Sequence, residues 1–242
     1  MKQKYFFFLR LFVGFLLFSV SFTSCDSGDI YPVDPDTIDG TSISASFRFL
    51  HTETYPVSYE VLFGAFGDSE VPIVSKTVPK PSNDGAIIVS LSNIPEGSTT
   101  IRLSLSKSGR NAFYTLYEMK LDGLPAEDIV VSEQTINLLQ YGRLQQQVFT
   151  QCVACHGGSD YAAAGLNLTA DLSFDNIVDV PSEEEPSSKK RVEPNNVAGS
   201  FLIDVLKGQA GLTYNHSTGI SSLKDDDIVL LEEWIRNGAK NE

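Results

Sequence analysis

The sequence predicts a multidomain protein, an all-β sandwich followed by an all-α domain. Apolar residues recur at every second position across much of residues 41–139 and at every third or fourth position beyond 140. A stretch rich in Asp, Pro and Gly, residues 26–40, separates both from an apolar opening segment.

That opening segment reads MKQKYFFFLRLFVGFLLFSVSFTSC. Lys2, Lys4 and Arg10 form a positive n-region, and Leu11 to Val20 make an apolar run of ten, too short to span a bilayer comfortably. This is the pattern of a secretion signal. Thr23 and Ser24 precede Cys25, an arrangement that resembles the lipobox of bacterial lipoproteins, although Phe22 stands where the box usually has Leu. The resemblance implies a signal peptide over residues 1–24 and acylation of Cys25, with residues 25–40 as a tether; ordinary cleavage nearby and an uncleaved anchor are the other readings. Buried acyl methylenes contribute about 0.8 kcal/mol each, so more than one chain would hold the protein firmly. The expected location is the bacterial cell envelope, lipid-anchored and facing the periplasm or the cell surface.

Loss of residues 1–24 removes Lys2, Lys4 and Arg10 and no acid, taking the formal charge from -13 to -16. So acidic a surface repels nucleic acid. The chain has three cysteines. With Cys25 lipidated and Cys152 and Cys155 sharing one site, none is left for a structural disulfide, and the fold must rest on its cores.

In residues 41–139 Ile43, Ala45, Phe47 and Phe49 alternate with mostly polar neighbours. So do Tyr59, Val61, Phe63 and Ala65, then Ile87, Val89 and Leu91, then Ile101, Leu103 and Leu105. Further β-rich runs lie at 71–78, 112–121 and 128–138, with turn signals at 83–85, 95–97 and 108–109. Seven short strands in about 100 residues suggest an immunoglobulin-like sandwich. No catalytic constellation falls on it. His51 stands alone after the first strand, and the alternating aromatic residues read as core rather than as a glycan platform.

Residues 140–242 change period. Leu144, Val148 and Cys152 share a helical row that runs on to His156 and stops at Gly157 and Gly158. A second helix is expected over 173–178 and a third from about Ser200 through Leu206. The last, 224–237, has Asp225, Asp226 and Asp227 in its first turn, Arg236 in its last and Gly238 beyond, with Ile228, Leu231, Trp234 and Ile235 on one face. The charged run from Glu183 to Arg191 reads as a solvated loop.

Cys152, Cys155 and His156 form the motif CxxCH, for which several chemistries compete. A disulfide or a thioredoxin-type pair fits the spacing, but such a pair belongs in a βαβ setting. Zinc would need four ligands, for instance Cys152, Cys155, His156 and His216, and adjacent residues on a helix diverge by about 100°. Covalent haem gives the spacing a reason: two thiols add to the two vinyl groups of one haem edge while the next imidazole binds iron.

The segment Val148-Phe-Thr-Gln-Cys-Val-Ala-Cys-His-Gly157, with Gly165-Leu-Asn-Leu168, Val192-Glu-Pro194, Ser200-Phe-Leu202 and Leu231-Glu-Glu-Trp-Ile-Arg-Asn-Gly-Ala239, resembles the small class I cytochrome c domains of bacterial multidomain proteins. The resemblance covers about residues 142–240. It implies an all-α cytochrome c domain over 140–242, one covalent haem c, His156 as proximal axial ligand and Trp234 as a core residue. The family's usual distal ligand, methionine, is missing: the two methionines are Met1 and Met119, the latter in the β half. Where it is expected the chain has Gly211-Leu-Thr-Tyr-Asn-His-Ser-Thr-Gly219, so His216, sixty residues after His156, is the expected distal ligand. Five-coordinate iron beside Tyr214 or Asn215 is the alternative.

The function expected is that of a membrane-anchored monohaem c-type cytochrome passing single electrons to or from a protein partner, an electron carrier or oxidoreductase subunit rather than a self-contained enzyme, with the sandwich as a docking or spacer module. A haem-based small-ligand sensor and a surface-binding lipoprotein with an accessory haem domain are the rival readings.

Overall fold

The structure, a computed structural model of the chain, describes residues 41–82, 85–107, 111–124, 126–158, 162–183, 188–220 and 223–242. Cys25 and the expected signal and tether lie outside the described residues.

Among the described residues seven strands form: β1 Ile43–Leu50, β2 Glu60–Phe66, β3 Val74–Thr77, β4 Ala86–Leu91, β5 Thr100–Ser106, β6 Ala112–Lys120 and β7 Ile129–Asn137. They build two sheets, ordered β4-β1-β7 and β3-β2-β5-β6. Period-two patterning decides which side of each strand is buried. Ile43, Ala45, Phe47 and Phe49 of β1 face Val61, Phe63 and Ala65 of β2 and Ile101, Leu103 and Leu105 of β5 in one core. Each such large side chain contributes roughly 1.5–3 kcal/mol on burial. Phe47 joins the sheets, meeting Phe63 and Tyr117 edge-on at 5.6 Å each. Gly85, at φ 74, sits where a Cβ would lie 2.4 Å from the Phe49 carbonyl oxygen, so only glycine lets β4 enter its pairing with β1.

Beyond Leu139 the helices are few and short: α1 Tyr141–Gln147, α2 Val153–His156, α3 Ser173–Ile177, α4 Phe201–Leu206, α5 His216–Gly219 and α6 Asp225–Arg236. Leu144, Val148, Phe149, Leu230, Leu231, Trp234 and Ile235 are among the residues of a second core. Tyr141 is its pivot, 5.4 Å from the Trp234 ring and 5.1 Å, edge-on, from Phe174. The Ser173 hydroxyl donates to Gln145 Oε1, so Tyr141 must be the donor in its own 2.6 Å bond to Ser173. In α6 Asp227 accepts from the Lys224 N–H at 2.8 Å, and Gly238, at φ 96, closes the C-terminal end.

Buried polar groups tie the helices to the strands. Arg143 is fully buried and donates to the carbonyls of Leu138 (2.8 Å) and Thr54 (2.8 Å) and to Gln147 Oε1 (2.9 Å). Gln147 passes its own N–H to Asp227 (2.7 Å), which also accepts from Tyr59 Oη (3.0 Å). Burial pulls the Arg143 guanidinium down to about 10 against the opposing pull of Asp226 and Asp227. It therefore stays charged at neutral pH.

The described residues accordingly form one compact, β-rich unit. This corrects two expectations. The fold is not an immunoglobulin-like sandwich followed by a separate all-α domain, because two sheets and a few short helices share a buried polar seam within one unit. The likeness to a class I cytochrome c domain is overturned as well. The helices on either side of Cys152 have seven and four residues, and the segment after α3 makes isolated bridges, Val178 to Val192 and Lys190 to Ser200, in place of helix. Periodicity reveals which face of an element is apolar; it carries no record of what that face meets.

Candidate functional site

The expected helix through CxxCH is broken in three. After α1 the backbone slips at Val148 (φ -107), makes a 3-10 turn at Phe149–Gln151, and resumes as α2. Val148 and Phe149 are fully buried and anchor the turn, while Cys152 is half-buried and Cys155 exposed. The N–H groups of Cys155 and His156 both donate to the Cys152 carbonyl, at 3.1 and 2.9 Å, which brings the motif onto one short coil. Gly157 follows because a Cβ there would stand 2.6 Å from the Val153 carbonyl oxygen.

Cys152 and Cys155 are free thiols. Burial, with Cys155 adding to it, pushes the Cys152 thiol up to about 11. That is opposite to the depressed thiol on which a thioredoxin-type site depends.

His156 Nδ1 lies 3.0 Å from the Ala163 carbonyl oxygen. A carbonyl can only accept, so Nδ1 carries the proton and Nε2 keeps its lone pair free. This is the arrangement by which metal-binding imidazoles are oriented and made more basic.

His216 opens α5, where Asn215 Oδ1 accepts from the Ser217 N–H at 3.0 Å. The Tyr214 ring stands edge-on to its imidazole at 4.9 Å. A Cβ at Gly219 would lie 2.2 Å from the Tyr214 hydroxyl, so the glycine makes room for that ring. His216 Nδ1 is buried and meets hydrogen-bond geometry with no partner. Burial first, then His156, push the His216 pKa below the ordinary imidazole value, with the Tyr214 backbone opposing. The neutral imidazole is the form that binds a metal.

The two imidazoles meet although sixty residues separate them. Their centroids are 6.3 Å apart and their planes 27° apart. Metal–nitrogen bonds of about 2 Å, plus a ring radius of about 1.2 Å on each side, put two imidazoles on opposite faces of one metal about 6.4 Å apart. The fit to haem iron rests on that spacing and on the Ala163 carbonyl at His156 Nδ1, which leaves Nε2 as the nitrogen that would bind. Among the described residues no group of three or more His, Cys, Asp and Glu is gathered to hold a metal ion. Neither a protein-family model nor a curated protein matches the sequence. With the fold, these findings leave the class I cytochrome c assignment without support, and the site stands on its local geometry alone.

Met119 packs against the core of the strands. His51, at φ 60, lies 3.4 Å from Glu53 at the end of β1. Sequence reasoning missed Ala163, whose backbone carbonyl leaves no trace in residue type, and Arg191, placed in a solvated loop but only 9% exposed. Among the described residues no helix is long and apolar enough to cross a membrane.

Proposed function

We propose that the chain carries one covalent haem c on Cys152 and Cys155, with His156 and His216 as axial ligands, and serves as a lipid-anchored electron carrier. The observation that carries this reading is the 6.3 Å separation of the two imidazoles directly beside a CxxCH motif. Bound haem supplies one-electron chemistry between ferric and ferrous iron. The chain supplies the rest. The two cysteines fix the cofactor's edge, the Ala163 carbonyl holds the His156 proton on Nδ1, and Tyr214 and the Asn215-capped turn present His216.

Cys155 is exposed, so the attachment edge opens to the surface where a redox partner can approach. A formal charge of -16 after loss of residues 1–24 favours a partner with a basic face. Lipid on Cys25 would hold the protein to a membrane of the cell envelope, with the strand-built half as docking or spacer module. The test is the visible spectrum of the purified protein, oxidised and reduced, joined to a pull-down of its membrane partners. Reversible one-electron cycling and a co-purifying redox protein support the carrier. Ready binding of carbon monoxide by the wild type would favour a small-ligand sensor instead.

A further inference from the structure

The turn Ala163–Gly165 that receives the His156 proton is strained. Ala164 and Gly165 both lie in the left-handed region, at φ 55 and φ 57. For a residue with a side chain this region is disfavoured, and such strain persists only where surrounding contacts over-determine it. The contacts come from Arg191. Its guanidinium donates to the carbonyls of Asn176 (2.9 Å), Ala164 (3.1 Å) and Gly165 (3.3 Å). The Arg191 backbone is held too, its N–H donating to the Val180 carbonyl (2.7 Å) and its own carbonyl accepting from the Leu202 N–H (3.0 Å). The side chain thus locks the turn to α3, and the Arg191 backbone ties it to the start of α4.

We propose that Arg191 is a positioning residue for His156: by gripping the Ala164 and Gly165 carbonyls it turns the neighbouring Ala163 carbonyl onto His156 Nδ1, fixing the tautomer that leaves Nε2 for iron. The assignment rests on the haem reading above. Geometry favours a fork over a point charge here, since three carbonyls are bound at once and lysine cannot reach them together. Outer partners of metal-binding imidazoles typically change metal affinity about 10–100-fold when removed.

The test uses the full chain in two forms. In apoprotein made without haem attachment, nitrogen-15 NMR of the imidazoles should show His156 as the Nδ1–H tautomer in the wild type. Arg191→Met should shift it toward Nε2–H, and Arg191→Lys should fall between. In haem-loaded protein, Arg191→Met should raise the reduction potential, because an imidazole that loses its acceptor donates less to ferric iron, and Arg191→Lys should restore part of the shift. If Arg191→Met unfolds the chain, the lysine variant is read by the same criteria. An unchanged tautomer in a folded variant overturns the role of Arg191. A wild type that shows the Nδ1–H tautomer but never acquires haem preserves the lock and overturns the haem reading with the iron-positioning role built on it.

Discussion

The His156 and His216 ring centroids lie 6.3 Å apart with planes inclined at 27°, a centroid separation equal to that of two imidazoles bound to one metal from opposite sides. Their order does not depend on one another: one is set by the coil of CxxCH, the other by a four-residue helix capped by Asn215.

His216→Ala is therefore expected to convert a six-coordinate, low-spin ferric haem into one with a high-spin component that binds carbon monoxide or azide. Because imidazole in place of methionine stabilises ferric iron, the wild-type potential should lie below that of His/Met haem proteins. A ferric spectrum untouched by the substitution would remove His216 from the site.

Arg143→Met should destabilise the fold by about 3–5 kcal/mol, the usual effect of removing one partner from a buried polar network. The carbonyls of Thr54 and Leu138 and the Gln147 side chain would lose their donor together. Urea titration reads the loss. In the wild type, the fluorescence of Trp234, the chain's one tryptophan, and the far-ultraviolet signal of the strands should follow one transition. Two separated transitions would show that strands and helices unfold independently.

Asp227 gives a pH dependence of defined sign. Burial raises its pKa above the ordinary aspartate range despite hydrogen bonds from Gln147, the Lys224 N–H and Tyr59. The folded state thus binds more protons than the unfolded between the two pKa values. The contribution of Asp227 is most favourable below the unfolded value and is lost as pH rises through the folded one. Wild type should lose stability relative to Asp227→Asn over that rise, and denaturant midpoints compared across it show the trend. A relative gain would contradict the assignment.

Much of this was legible in the chain. Alternation at Ile43 to Phe49 and at Ile101 to Leu105 locates β1 and β5, and the three acids before Ile228 locate α6, because burial of one face and complementing of a helix end are local demands. The pairing of β1 with β7 was not legible, nor was the seam from Arg143 to Asp227. Both join residues 80 or more positions apart, and nothing in the period of either segment names its partner. At the site, CxxCH and His216 were visible as residue types. Arg191 was hidden by its neighbours Lys189 and Lys190, whose side chains pair with Asp204 and Asp179 as those of a solvated run would.

Cys25→Ala is expected to leave the chain unprocessed or to release it from membranes, since that thiol is the proposed lipid acceptor. Membrane fractionation with an intact-mass measurement decides it. An N-terminal mass shared by variant and wild type would exclude acylation there.

Covalent attachment is the claim on which the rest depends, and the most direct measurement is the mass of the denatured chain made in cells competent in haem attachment. The account predicts one haem retained through denaturation in the wild type and none in the double variant Cys152→Ala, Cys155→Ala. A wild-type chain that emerges from denaturation without haem would contradict it.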